Sequence, residues 1–97
     1  MKVEFTDEAR TDLFDAADYY EDKERGLGLR FRDQIAGVLK TVITAPTLWR
    51  ERPGGYRQVN CPVFPYYIAY VIRNDVVVVV AVAHGSRLPR FWRDRLA

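Results

Sequence analysis

The sequence predicts an α+β domain in the order β-α-α-β-β-β, with a helical hairpin on one face of an antiparallel sheet. Three observations predict it. Apolar residues recur at helical spacing from Ala9 to Val42, the period changes after Pro46, and an unbroken apolar run from Val76 to Ala83 follows a two-residue turn. With 97 residues the chain suffices for one domain, 1–97, and not for two.

Lys2 to Phe5 alternates polar and apolar residues and reads as a first strand. Thr6 then caps a helix, with Asp7 and Glu8 in the first turn, where carboxylates suit the positive end of the helix dipole. Ala9, Leu13, Ala16, Ala17 and Tyr20 form its apolar stripe, and Asp12, Asp15, Asp18, Glu21 and Asp22 are expected mostly on the solvent side. Gly26-Leu27-Gly28 breaks this helix. A second helix follows with Phe31, Ile35, Val38, Leu39 and Val42 inward, and Pro46 stops it. So short a break folds the two back as an antiparallel hairpin.

Arg52-Pro53-Gly54-Gly55 is rich in turn residues, and Tyr56 to Asn60 can be a strand. Tyr66 to Arg73 is β-branched and aromatic, Asn74-Asp75 suits a tight hairpin turn, and Val76 to Ala83 runs back antiparallel. That last run has no polar residue on either face, so a central strand covered on both sides is expected. The helices cover one face. The other needs the C-terminal segment, a second copy or a partner chain. From Leu88 to Ala97 the tail is basic, with Pro89 at a helix start and Phe91 and Trp92 inside it.

Hydrophobic residues make up 48% and aromatics 13%, which places the chain among packed globular proteins. Cys61 is the only cysteine, so no internal disulfide forms, and a reducing cytoplasm fits best. The N-terminus carries acid where a signal peptide has its apolar core, and Val76 to Ala83 is too short to span a bilayer, so no membrane association is expected. No Cys/His cluster with metal-ligand spacing and no phosphate-cradling glycine loop occurs, so neither metal nor cofactor is expected. The net charge of +2 hides an asymmetry: up to Trp49 there are 7 Lys/Arg against 10 Asp/Glu, and from Arg50 onward 8 arginines against 3 acids. Arginine pairs with phosphate or carboxylate through a planar fork, so the second half suits a polyanionic partner or, equally, a solvated basic face.

His84, the only histidine, stands at the end of the apolar run and is followed by Arg87, Arg90, Arg93 and Arg95. Arg57 falls inside an earlier strand, where a charge needs solvent or an anionic partner. Were those strands neighbours, Arg57, His84 and Arg87 could converge on one edge. A histidine near neutrality plus arginines is what metal-free RNA cleavage requires: one group moves the 2′-hydroxyl proton, another protonates the leaving oxygen, and arginines hold the phosphorane charge. The same residues also read as a strand-end histidine bonded to backbone and an ion-paired arginine. Trp92 reads first as a core or interface plug.

The order Tyr19-Tyr20-Glu21, Gly26-Leu27-Gly28, Phe31, Pro46, Gly55-Tyr56-Arg57, Phe64-Pro65-Tyr66, Val80-Ala81-Val82-Ala83-His84, then Arg87, Pro89, Trp92 and Arg95, resembles that of RelE/ParE-superfamily toxins over nearly the whole chain. The resemblance implies a helical hairpin on a small twisted antiparallel sheet with a short C-terminal helix or tail. It also implies the toxin role in a type II toxin–antitoxin (plasmid stabilisation) system and a cognate antitoxin that wraps and neutralises it, as a toxin dimer or a heterotetramer. RelE-like members cleave mRNA in the ribosomal A site with Arg, Lys and a C-terminal Tyr or His, whereas ParE-like members poison DNA gyrase. The first role implies His84, Arg57 and Arg87 as catalytic residues of a ribosome-dependent endoribonuclease. Either role implies Arg73, Arg90, Trp92, Arg93 and Arg95 as contacts to nucleic acid or target. The third alternative is a degenerate antitoxin-binding module. Two features depart from the RelE-like pattern: the only lysines are Lys2, Lys23 and Lys40, and no tyrosine follows Tyr70.

Overall fold

The computed structural model describes residues 1–96; Ala97, the last residue of the expected tail, lies outside the described residues. Its elements are β1 (Lys2–Phe5), α1 (Asp7–Lys23), α2 (Leu27–Thr44), β2 (Arg57–Asn60), β3 (Tyr66–Arg73) and β4 (Val76–His84), followed by 3₁₀ turns at Pro89–Phe91 and Arg93–Leu96. The strands form one sheet in the order β1-β4-β3-β2. β2–β3 and β3–β4 pair antiparallel, as expected, but β1 pairs parallel with β4, so the sheet is mixed. The cause is the apolar run itself. β4 needs a strand on each side, the hairpin supplies only β3, and β1 is the remaining strand.

Thr6 caps α1 as expected, its Oγ1 accepting from the Ala9 N–H at 3.1 Å. The helix break is shorter than the three residues Gly26-Leu27-Gly28. Gly26 alone breaks it, at φ +87°, and α2 already begins at Leu27. Gly28 serves close packing instead: a Cβ there would lie 2.5 Å from the Ala17 carbonyl oxygen. Glu21, expected to face solvent, accepts from the N–H groups of Gly26 (2.9 Å) and Gly28 (3.0 Å) and so caps α2, whose own N-cap residue has no side chain. The 74–75 turn has both residues at positive φ, Asn74 at 51° and Asp75 at 62°, the two-residue hairpin geometry that matches strand twist.

The helical hairpin buries Ala9, Ala16, Ala17, Phe31, Ile35 and Val42 against Val59, Ile68, Tyr70, Val77, Val79 and Val82. A bulge in β4 changes the face of its second half. Ala69 pairs with Ala81 and Tyr70 with Val79, so Val80 is the extra residue, and both Val80 and Ala81 turn to the far face. Trp92 covers that face, packed with Tyr56, Tyr67, Ala69 and Val71. Of the three ways to cover the second face, the C-terminal segment is the one realised. It covers only the later half of β4, because Val76 and Val78 remain half-exposed. Among the described residues no helix is long and apolar enough to cross a membrane.

Candidate functional site: a cleft at the open edge of β4

β1 accompanies β4 only from Val76 to Val79, after which the chain turns into α1. Beyond that point a cleft of about 380 Å³ opens between α1 and the C-terminal segment, floored by Tyr66 and Val82. Asp12, Asp15 and Tyr19 form the α1 wall, and His84, Arg87, Phe91 and Arg95 the other.

His84 pairs with Tyr66 across the β3–β4 ladder, and the two rings meet edge to face at 5.4 Å between centroids. Its Nδ1 lies 2.8 Å from Ser86 Oγ and accepts the Ser86 backbone N–H at 3.0 Å. Arg87 is exposed, with its guanidinium 4.4 Å above the Phe91 ring. Burial, then the neighbouring Tyr20 and Tyr19, raises the Tyr66 hydroxyl above its ordinary pKa, and Arg87 offsets part of this.

Arg57 stands elsewhere. It pairs with Tyr70, four positions along β3 from the Tyr66 that pairs with His84. At ~3.4 Å per residue and ~4.8 Å per strand spacing, the Arg57 and His84 backbones lie on the order of 16 Å apart. The Arg57 Nε donates to the Trp49 carbonyl at 2.9 Å and anchors the loop between α2 and β2. His84 and Arg87 therefore share a cleft, and Arg57 does not join them.

Among the residues expected to touch a target, Arg73, Arg90 and Arg93 are exposed. Arg73 Nη2 donates to the Leu96 carbonyl at 3.5 Å and Arg93 Nη2 to that of Pro53 at 3.2 Å, which leaves each guanidinium with further donors in solvent. Trp92 is 1% exposed, and its Nε1–H donates to Tyr67 Oη at 2.8 Å, while that hydroxyl donates to the Arg87 carbonyl, also at 2.8 Å. Its ring is core and offers no stacking face. Arg95 is committed inward: Nη1 lies 2.7 Å from Asp12 Oδ2 and 3.1 Å from the Val80 carbonyl oxygen. Asp12 also accepts the Val82 N–H at 3.1 Å. Sequence reasoning placed Asp12 among the solvent acids. The signal that finds it is its position three residues after Ala9 and four before Ala16, on the flank of the buried stripe.

A family model, the ParE toxin of the type II toxin–antitoxin system parDE, matches residues 3–89. The chain belongs to the ParE toxin family. Curated relatives agree: Toxin ParE2 of Mycobacterium tuberculosis (strain CDC 1551 / Oshkosh) is 29% identical over 79 residues, covering 80% of this chain and 75% of the relative. Among solved structures, the chromosomal ParDE toxin–antitoxin system from P. aeruginosa superposes with TM-score 0.73 at 18% identity, covering 87% of this chain and 95% of that one. The intact E. coli RelBE toxin–antitoxin complex superposes with TM-score 0.63 at 21% identity, over 89% of this chain and 98% of that one. At such identities the structural likeness speaks for the fold alone, and the family rests on the sequence match. The ParE-family chain is thus a type II toxin within the RelE/ParE superfamily.

Proposed function

We propose that this ParE-family toxin arrests growth by binding DNA gyrase, the target that the ParE-like resemblance implies, and that it performs no chemistry of its own on RNA. The observation that carries the reading is the place of Arg57, which pairs with Tyr70 and donates to the Trp49 carbonyl, away from the cleft that holds His84 and Arg87. Arg57, on the order of 16 Å away by strand geometry, supplies no charge to a phosphate held beside His84. In this reading Arg73, Arg87, Arg90 and Arg93 are the contacts to the target, and His84 is a strand-end residue held by Ser86. The contacts are electrostatic, so affinity falls as salt rises.

The test is a pair of assays on purified toxin. Supercoiling by gyrase in the presence of DNA and ATP should be inhibited with accumulating DNA breaks, and ribosome-bound mRNA should stay intact. Folded His84→Ala should keep its toxicity, while Arg90→Ala and Arg93→Ala should weaken inhibition, most visibly at low salt. Cleavage of mRNA on the ribosome by the wild type, lost in folded His84→Ala, would overturn this reading in favour of the RelE-like endoribonuclease.

A further inference from the structure

The sheet divides the charge of the molecule. On the helix side, α1 carries seven acids between Asp7 and Lys23 against only Arg10 and Lys23. On the far side, where Trp92 closes the sheet, arginines gather from three separate segments. Arg73 follows Val71 by two residues along β3, so it projects to the face on which Val71 packs with Trp92. Its Nη2 donates to the Leu96 carbonyl at 3.5 Å. Arg52 pairs across an antiparallel bridge with Tyr56, another residue of that face, and so shares its side. Arg93 Nη2 donates to the Pro53 carbonyl at 3.2 Å. Leu96 lies against the same loop, 3.6 Å from where a Cβ on Gly54 would stand. Loop, strand end and tail thus converge on Leu96, with Arg50 entering the loop and Arg90 on the preceding 3₁₀ turn of the tail.

We infer that this face binds duplex DNA through its phosphates, without reading sequence. The inference deepens the gyrase reading and rests on it for its setting, because it makes the DNA that gyrase acts on a direct contact of the toxin. The cations are all arginine, whose planar fork matches a phosphate. Among the described residues no carboxylate lies within 4.0 Å of the charge on Arg50, Arg52, Arg73, Arg90 or Arg93. Glu51, Asp75 and Asp94 share these segments and reduce the excess, so the binding is weak and visible at low salt. The rings of the face are closed. Tyr56, Tyr67 and Trp92 are 4%, 3% and 1% exposed, which leaves neither a platform for a base nor an aromatic anchor for a protein partner. The nearby Phe91 ring is occupied by the Arg87 guanidinium at 4.4 Å. Single strands are held by stacking and duplexes by their backbone, and this face offers the backbone contact. The acidic α1 on the opposite side turns the molecule so that the arginines meet the DNA.

The experiment follows the fluorescence anisotropy of a labelled duplex of about 20 base pairs with purified toxin alone, from about 50 to about 200 mM NaCl. Contacts to about four phosphates give log K against log salt a slope of about −3 to −4, so affinity should fall on the order of 100-fold across that range. Two duplexes of unrelated sequence should bind alike. Arg73→Ala and Arg93→Ala, both at exposed positions, should each reduce the slope by about 1. Arg10→Ala, exposed on the helix side, should leave it unchanged. A wild-type slope near zero, or no binding at about 50 mM salt, overturns the inference even if a variant fails to fold. So does an unchanged slope in folded Arg73→Ala and Arg93→Ala, or tighter binding to single-stranded RNA of the same sequence, which would make RNA the partner. Gyrase inhibition by a toxin that does not bind DNA would leave the gyrase reading standing and end this one. DNA binding without gyrase inhibition would do the reverse.

Discussion

Arg95 Nη1 lies 2.7 Å from Asp12 Oδ2, across 83 residues of chain. The contact ties the last turn of the tail to the first helix over the edge of β4, and both side chains are under a quarter exposed, at 23% for Arg95 and 22% for Asp12. Asp12→Ala removes the acceptor of the Val82 N–H and leaves the Arg95 guanidinium without its carboxylate. A part-buried donor left unpaired costs about 1–3 kcal/mol, so urea unfolding of the free toxin should shift by that amount. A change within about 0.5 kcal/mol, the range of an ordinary surface site, would mean that the pair is a solvated contact.

Two glycines in α2 make opposite predictions from one geometry. A Cβ at Gly28 meets the Ala17 carbonyl oxygen at 2.5 Å, and backbone cannot swing aside as a flexible side chain can. Gly28→Ala should therefore destabilise by about 1–3 kcal/mol through overpacking, outweighing the helix propensity of alanine. Gly37 is exposed in the same helix and its Cβ would meet nothing within 4 Å, so Gly37→Ala should stabilise by up to about 1 kcal/mol. Thermal unfolding of the two variants side by side checks the interhelical contact. If Gly28→Ala gains stability as Gly37→Ala does, the helices do not pack as closely as described.

Alkali should undermine the core. Burial pushes the Cys61 thiol from 9.0 to about 11, and it also raises the hydroxyls of Tyr66, Tyr67 and Tyr70 above their ordinary value of 10.0. Each folded pKa lies above its unfolded value, so each neutral group contributes stability that is fully present below the unfolded pKa. That stability is lost as pH rises through the folded pKa. The melting temperature should hold from pH 7 to about 9 and fall steeply toward 11. A thiol held protonated is also a poor nucleophile, so Cys61 should react with iodoacetamide at pH 8 only after denaturation. Prompt labelling of the native protein would show the thiol to be accessible.

Much of the fold was legible because the elements were locally self-specified. Thr6 ahead of two acids, the stripe from Phe31 to Val42, and Asn74-Asp75 between two apolar runs each determine a local structure without help from the rest of the chain. The parallel pairing of β1 with β4 was not legible, since strand order is set by which surfaces remain to be covered, not by any local pattern. Glu21 and Asp12 were misplaced for a related reason. Periodicity assigns a residue to a face, but their carboxylates reach the N-terminus of α2 and the β4 edge across gaps that only the tertiary structure creates. The candidate site was legible as a group of residues, with His84 and Arg87 together in the cleft. Register alone separated Arg57 from them.

Trp92 shows how strongly the tail is bound to the sheet. Its indole is 1% exposed, stacked edge-on against Tyr56 at 4.8 Å, and its N–H ends on the Tyr67 hydroxyl. Truncation to alanine opens a cavity over Val80 and Ala81 and should cost about 3–5 kcal/mol, a large share of the stability of a domain this small. Trp92→Phe keeps most of the apolar plug and removes only the N–H donor. The Tyr67 hydroxyl still donates to the Arg87 carbonyl, so the loss should be nearer 1–2 kcal/mol, roughly a hydrogen bond plus a smaller void. The same variant separates the two roles open to an aromatic residue in a basic tail. A buried plug predicts that folded Trp92→Phe inhibits its target as well as the wild type does, with a lower melting temperature. A contact residue predicts the reverse, unchanged melting and weakened inhibition, and that outcome would mean the tail leaves the sheet when the toxin engages its target.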